Sequence, residues 1–127
     1  MPTDAQAAMF LPMTADDVVQ KVEAEIGENW HVSNGHGIDL RKCLVRPPVL
    51  LEFKNSWYQW AGKVDPTNRL LSSATLNLWL VLLERPDTGK GYAIVYDEAA
   101  DSFGLAGAAD RIFDGHYGTF LETLEAM

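Results

Sequence analysis

Leu76-Asn77-Leu78-Trp79-Leu80-Val81-Leu82-Leu83, the Pro86-Asp87-Thr88-Gly89 turn and the returning Gly91-Tyr92-Ala93-Ile94-Val95-Tyr96 decide the fold class of this chain. A polar stretch from Asp97 to Asp101 then leads into Phe103-Gly104-Leu105-Ala106. Apolar, β-branched and aromatic runs bounded by Pro, Gly and Asp clusters are the signature of strands joined by tight loops. Residues 74–106 therefore predict an antiparallel meander on which elements from both ends of the chain pack. Upstream, Asp65-Pro66 can open a helical turn, because Pro is tolerated at the first helical position. Residues 66–83 thus stay open between helix and strand; the strand-turn-strand pattern that follows favours strand.

Outward from the meander, Thr14 is placed to cap a helix. Asp16 and Asp17 fall in its first turn, where the helix dipole favours acids, and Met13 can staple against Val18. Ala15, Val18, Val19, Val22 and Ile26 form one apolar stripe, and Gly27 is placed to end the helix. At the other end, Thr119-Phe120-Leu121-Glu122 has capping-box spacing, with Phe120, Leu121, Leu124 and Met127 as the apolar stripe of a second helix. Residues 107–118 read as glycine-rich and irregular, and residues 1–13 as a loosely held arm before a single domain over 14–127.

Trp30 to Ser33 and Gly37 to Val45 predict a hairpin around Asn34-Gly35-His36. A three-residue loop sets Val32 opposite Ile38, Trp30 opposite Leu40 and His31 opposite Asp39. A two-residue Asn34-Gly35 turn is also chemically sound but mixes apolar with polar partners. Pro47-Pro48 interrupts the strand, since neither proline can donate to a ladder, and Val49 to Phe53 resumes it. The expectation is an α+β domain: a mostly antiparallel sheet of about five or six strands, packed on one face against an N-terminal and a C-terminal helix. The other face is left for exposure or for an interface.

The 127 residues suit one domain, and 47% apolar with 22% charged residues is ordinary for a globular chain. The longest apolar run, Leu78 to Leu83, is far short of the roughly 20 residues that span a bilayer. The first dozen residues hold an Asp and no Lys or Arg, which argues against a secretory signal. Cys43 stands alone, so nothing asks for an oxidising compartment, and a cytoplasmic location is the expectation. The net charge of −8 is uneven: residues 1–30 carry six acids against Lys21, and residues 97–127 carry seven against Arg111. Residues 31–96 instead carry eight bases against five acids. Acidic ends repel nucleic acid and anionic membrane and favour a basic protein partner.

His31, Asp39, Arg41 and Cys43 are the grouping closest to catalytic machinery, since a His–Asp pair orients an imidazole. On a strand, however, Asp39 and Cys43 are separated by roughly 13 Å. Cys43 therefore reads as a small buried residue, and no catalytic residue is assigned. No Cys-x-x-Cys, His-x-x-x-His or calcium-loop pattern is present, so no metal and no cofactor is expected. Lys54-Asn55-Ser56-Trp57-Tyr58-Gln59-Trp60 and Lys63 interleave bases with aromatics. Trp57, Tyr58 and Trp60 suit a partner-binding patch, because Trp and Tyr are preferred interface anchors. The same pattern would suit single-stranded nucleic acid, but the acidic molecule speaks against it.

Gly91-Tyr92-Ala93-Ile94-Val95-Tyr96-Asp97, Phe103-Gly104-Leu105-Ala106 and Phe120-Leu121-Glu122 give the last third of the chain a resemblance to small bacterial α+β proteins, certain toxin-immunity proteins among them. The resemblance implies a compact, acidic single domain and assigns no residue a role. The leading functional expectation is a non-enzymatic protein-binding module, an immunity-type inhibitor being one version. The alternative is a small-molecule-binding domain or enzyme with a pocket between the sheet and the Trp57–Trp60 loop. His31, Asp39, Arg41 and Arg69 would be its polar groups. Assembly into a homo-oligomer through a sheet edge is compatible with either.

Overall fold

A computed structural model describes residues 12–28, 30, 38–56 and 74–127. Helix α1 (Ala15–Ile26) is followed by a single helical turn, α2 (Leu40–Cys43). The strands are β1 (Leu44–Asn55), β2 (Thr75–Arg85), β3 (Lys90–Asp97), β4 (Ser102–Gly107) and β5 (Ile112–Gly118), and helix α3 (Phe120–Ala126) ends the chain. This is an α+β arrangement, with a helix from each end of the chain packed on a five-stranded, mostly antiparallel sheet. No helix among the described residues is long and apolar enough to cross a membrane.

The sheet follows chain order and closes on itself as a barrel. Each strand pairs antiparallel with the next, from β1–β2 to β4–β5. Five strands of alternating direction leave the first and last pointing the same way, so the closing contact has to be parallel. It is made by Lys54 beside Ile112 and Asn55 beside Phe113. Closure turns the sheet face away from the helices, which the sequence leaves for exposure or an interface, into the barrel interior. Phe53, Leu76, Leu78, Val95, Ala106 and Phe113, drawn from all five strands, fill the interior, with Leu51 and Leu80 against them.

A second cluster lies between the barrel wall and the helices. Val18, Val22 and Ile26 of α1 and Phe120 and Leu124 of α3 meet Ile94, Tyr96, Phe103 and Leu105 there. Residues 93–97 of β3 are therefore buried on both sides, which explains why its apolar run lacks clean alternation. On β2 the register shifts between Leu80 and Leu82. Leu76 and Leu78 face the interior, whereas Val81 and Leu82 join the helix-side cluster, as a bulge allows.

Both helix starts are capping boxes, as the spacing requires. Thr14 Oγ1 accepts the Asp17 N–H at 3.3 Å while the Asp17 carboxylate accepts the Thr14 N–H at 2.9 Å. Thr119 and Glu122 repeat the exchange at 3.1 and 3.2 Å. Gly27 ends α1 at a φ of 61°, a conformation that costs glycine little.

Three expectations are corrected. Gly37 to Val45 is not a continuous strand: Asp39 accepts the Arg41 N–H at 3.0 Å and caps α2. Leu40 and Cys43, three apart, are buried together, which a helical turn permits and an alternating strand does not. The Trp30–Leu40 and His31–Asp39 strand pairings fall with it, while residues 31–37 lie outside the described residues. Pro47 and Pro48 do not end the strand either. They sit inside β1, where its register against β2 shifts between Leu44 and Val49, so the missing N–H donors fall in an irregular stretch of the ladder. Residues 112–118 form β5 rather than irregular chain. Gly104 of β4 lets it approach closely: a Cβ there would collide with the Gly115 carbonyl oxygen and lie 2.7 Å from Phe113 Cε1. Of residues 66–83, those from 75 onward are strand, and 66–73 lie outside the described residues.

Candidate functional site

Tertiary packing joins the two acidic ends of the chain. Glu25, in the last turn of α1, accepts the backbone N–H groups of Phe120 and Leu121 at 3.1 and 3.3 Å, holding α1 beside α3. The β3–β4 turn is bound to the same side, because the Met13 N–H donates to Glu98 Oε1 at 2.8 Å and Lys21 Nζ lies 3.0 Å from Asp101 Oδ1. Asp16, Asp17, Glu98, Asp101, Glu122 and Glu125 are all exposed on these three elements. Lys21 is their sole base among the described residues, and it is already engaged with Asp101.

Behind Asp101 the Tyr96 hydroxyl donates to Oδ1 at 2.6 Å, and Lys21 also approaches the Tyr96 ring at 5.7 Å. The hydrogen bond from Tyr96, and then Lys21, hold the Asp101 carboxyl below its ordinary range. Burial, followed by Asp101 itself, pushes the Tyr96 phenol well above its usual value.

A second polar constellation closes one end of the barrel. Asp97 at the end of β3 is 1% exposed, and His116 Nε2 of β5 lies 3.0 Å from its Oδ2. The His116 ring meets Phe113 edge-on at 5.0 Å, which fixes its plane from the barrel side. Buried Asn55 ends β1 at the same mouth, and its N–H donates to the Ala74 carbonyl at 2.9 Å. Asp97, but not His116, lines an open hollow of about 360 Å³ together with Met13, Leu50, Asn77 and Trp79 among others. Neither Asp97 nor His116 stood out as a site in the sequence, where one reads as a turn acid and the other as part of a glycine-rich stretch.

The third constellation lies where α1 ends. The guanidinium carbons of Arg41 and Arg46 stand over the half-buried Trp30 ring, 5.0 and 5.2 Å from its centroid. Of this group the sequence singles out Arg41 as a site residue, and not Trp30 or Arg46. Asp39 shares a hollow with Trp30, Ile38 and Arg41, but its carboxylate is used locally as the α2 cap. Cys43, 7% exposed, directs its Sγ at the Glu84 carbonyl at 3.7 Å. Burial pushes its thiol up, the opposite of what an activated nucleophile needs.

The remaining anticipated residues, His31, Trp57, Tyr58, Trp60 and Arg69, lie outside the described residues. Of the expected polar set, Asp39 caps a helical turn, Arg41 lies over the Trp30 indole, and both line one hollow. Comparison with protein-family models, with curated proteins and with solved structures gives no match for this chain.

Proposed function

We propose that this protein is a non-enzymatic protein-binding module whose acidic α1–α3 face receives a basic partner. One observation carries the reading: the two acidic ends, far apart in sequence, share one side of the molecule through the Glu25 clamp. Such a field steers a cationic surface and weakens as salt rises. In this reading the Trp57, Tyr58 and Trp60 stretch supplies aromatic anchors. An immunity-type inhibitor, covering a basic site on another protein, is one concrete form.

Thermal unfolding with polylysine at low and moderate salt tests the face. The midpoint is expected to rise at low salt, to return at moderate salt and to lose its shift in an Asp16→Asn/Glu125→Gln double variant. No low-salt shift, or one that the variant retains in full, overturns the proposal.

The Asp97–His116 pair favours a second reading, a small-molecule site at the barrel end. A carboxylate that lines an open hollow and holds an imidazole behind it suits binding or proton transfer. A small-molecule panel that raises the unfolding midpoint in the native protein but not in His116→Gln would promote it.

A further inference from the structure

Trp30, Arg41 and Arg46 come from three different parts of the fold: the exit of α1, the α2 turn and the start of β1. Gly27 turns the chain out of α1, and Trp30 then packs part of its ring against the helix-side core. Arg41 and Arg46, both exposed, lie on what remains of that ring. A cation–π contact holds a guanidinium against the ring while leaving N–H donors at its outer edge available.

The chain holds 18 acids and 10 bases, yet those donors of Arg41 and Arg46 form no ion pair with a carboxylate among the described residues. The acid nearest Arg41 in sequence, Asp39, spends Oδ1 on the Arg41 backbone N–H, and Glu23, which lines a hollow with Arg46, forms no ion pair with it. Because both carbons stand near 5 Å from one centroid, they lie within about 10 Å of each other. Exposed Lys42 adds charge next to them. A small basic and aromatic patch thus persists on a molecule of net charge −8, with both guanidinium groups against one ring and without an ion pair among the described residues.

We infer that the Arg41–Trp30–Arg46 stack is a binding site for a short acidic peptide segment, with each guanidinium fork taking a carboxylate. Arg forks match carboxylates in bidentate geometry, and Trp and Arg are the residue types that anchor protein interfaces. A nucleic-acid strand carries charge continuously and would extend from this small patch into the field of an acidic molecule. A peptide with two or three spaced carboxylates is confined to the patch. The site is separate from the acidic α1–α3 face and does not depend on it.

The test is titration of the full chain with a peptide carrying Asp and Glu, read by the indole N–H signal of Trp30 assigned through Trp30→Phe. The expected result is a saturable shift of that signal at low salt, weakened at moderate salt and absent with a neutral peptide of equal length. Arg41→Gln/Arg46→Gln should weaken binding by about tenfold or more. Arg41→Lys/Arg46→Lys, which keeps the charge but loses the forks, should weaken it by several-fold, and serves alone if the Gln variant does not fold. Asp16→Asn/Glu125→Gln should leave it unchanged or tighter, which separates this site from the proposed function. No shift at the Trp30 indole, affinity equal to wild type in the Lys variant, or tighter binding of an oligonucleotide of matched charge overturns the inference.

Discussion

Glu25 Oε2 accepts the backbone N–H of Phe120 at 3.1 Å, joining two residues 95 positions apart. The same carboxylate takes the Leu121 N–H, so α3 has a cap from another helix in addition to its own Thr119. Loss of a charged acceptor at a helix start costs about 1–2 kcal/mol. Glu25→Ala should therefore lower the unfolding midpoint by roughly 3–10 °C for a chain of this size. Differential calorimetry would register it, and hydrogen exchange should quicken first at the start of α3.

Gly104 sits where β4 and β5 approach most closely. An added Cβ would run into the Gly115 carbonyl oxygen and the Phe113 ring, both parts of a filled barrel. Overpacking against backbone has no cheap relief, so Gly104→Ala should cost about 1–3 kcal/mol or more. Urea titration against Gly89→Ala, whose added Cβ meets nothing within 4 Å, separates crowding from backbone strain at a φ of 69°.

The Tyr96–Asp101 contact makes stability depend on pH at both extremes. Asp101 has a depressed folded-state pKa, so its contribution is present above the ordinary carboxylate range and is lost as pH falls through the folded value. Tyr96 has a raised one, so its contribution is present below the ordinary phenol range, near pH 10, and is lost as pH climbs above it. Tyr96→Phe should flatten both limbs in a series of thermal melts. In an alkaline absorbance titration, one of the four tyrosines should stay protonated until the protein unfolds.

Cys43 is buried with a raised thiol pKa, so little thiolate exists near neutral pH. A thiol reagent should react slowly with the native protein and rapidly after denaturation. Cys43→Ser should leave any partner binding intact. Rapid native labelling would contradict the burial of this side chain.

What could be read without the structure was local. Thr14 and Thr119 announce their helices because a capping box closes within three residues. The meander over 74–106 was legible for a similar reason: Pro86 to Gly89 and Asp97 to Asp101 are turn chemistry between apolar runs. The acidity of both ends was equally plain in composition.

Only tertiary structure decided how these pieces meet. Closure through the parallel Lys54–Ile112 pairing links residues 58 positions apart, and no periodicity in either segment announces it. β5 is hidden in the sequence because glycine at 115 and 118 reads as a loop, whereas the bare Gly104 of β4 lets the Gly115 backbone approach. Leu40–Cys43 was misread because two buried residues three apart satisfy a helical turn, and the Asp39 cap tipped that local choice. The Glu25 clamp, the Asp97–His116 pair and the Arg41–Trp30–Arg46 stack all join side chains from separate elements. The sequence supplied their chemistry; burial of two apolar clusters, one inside the barrel and one under the helices, brought them together.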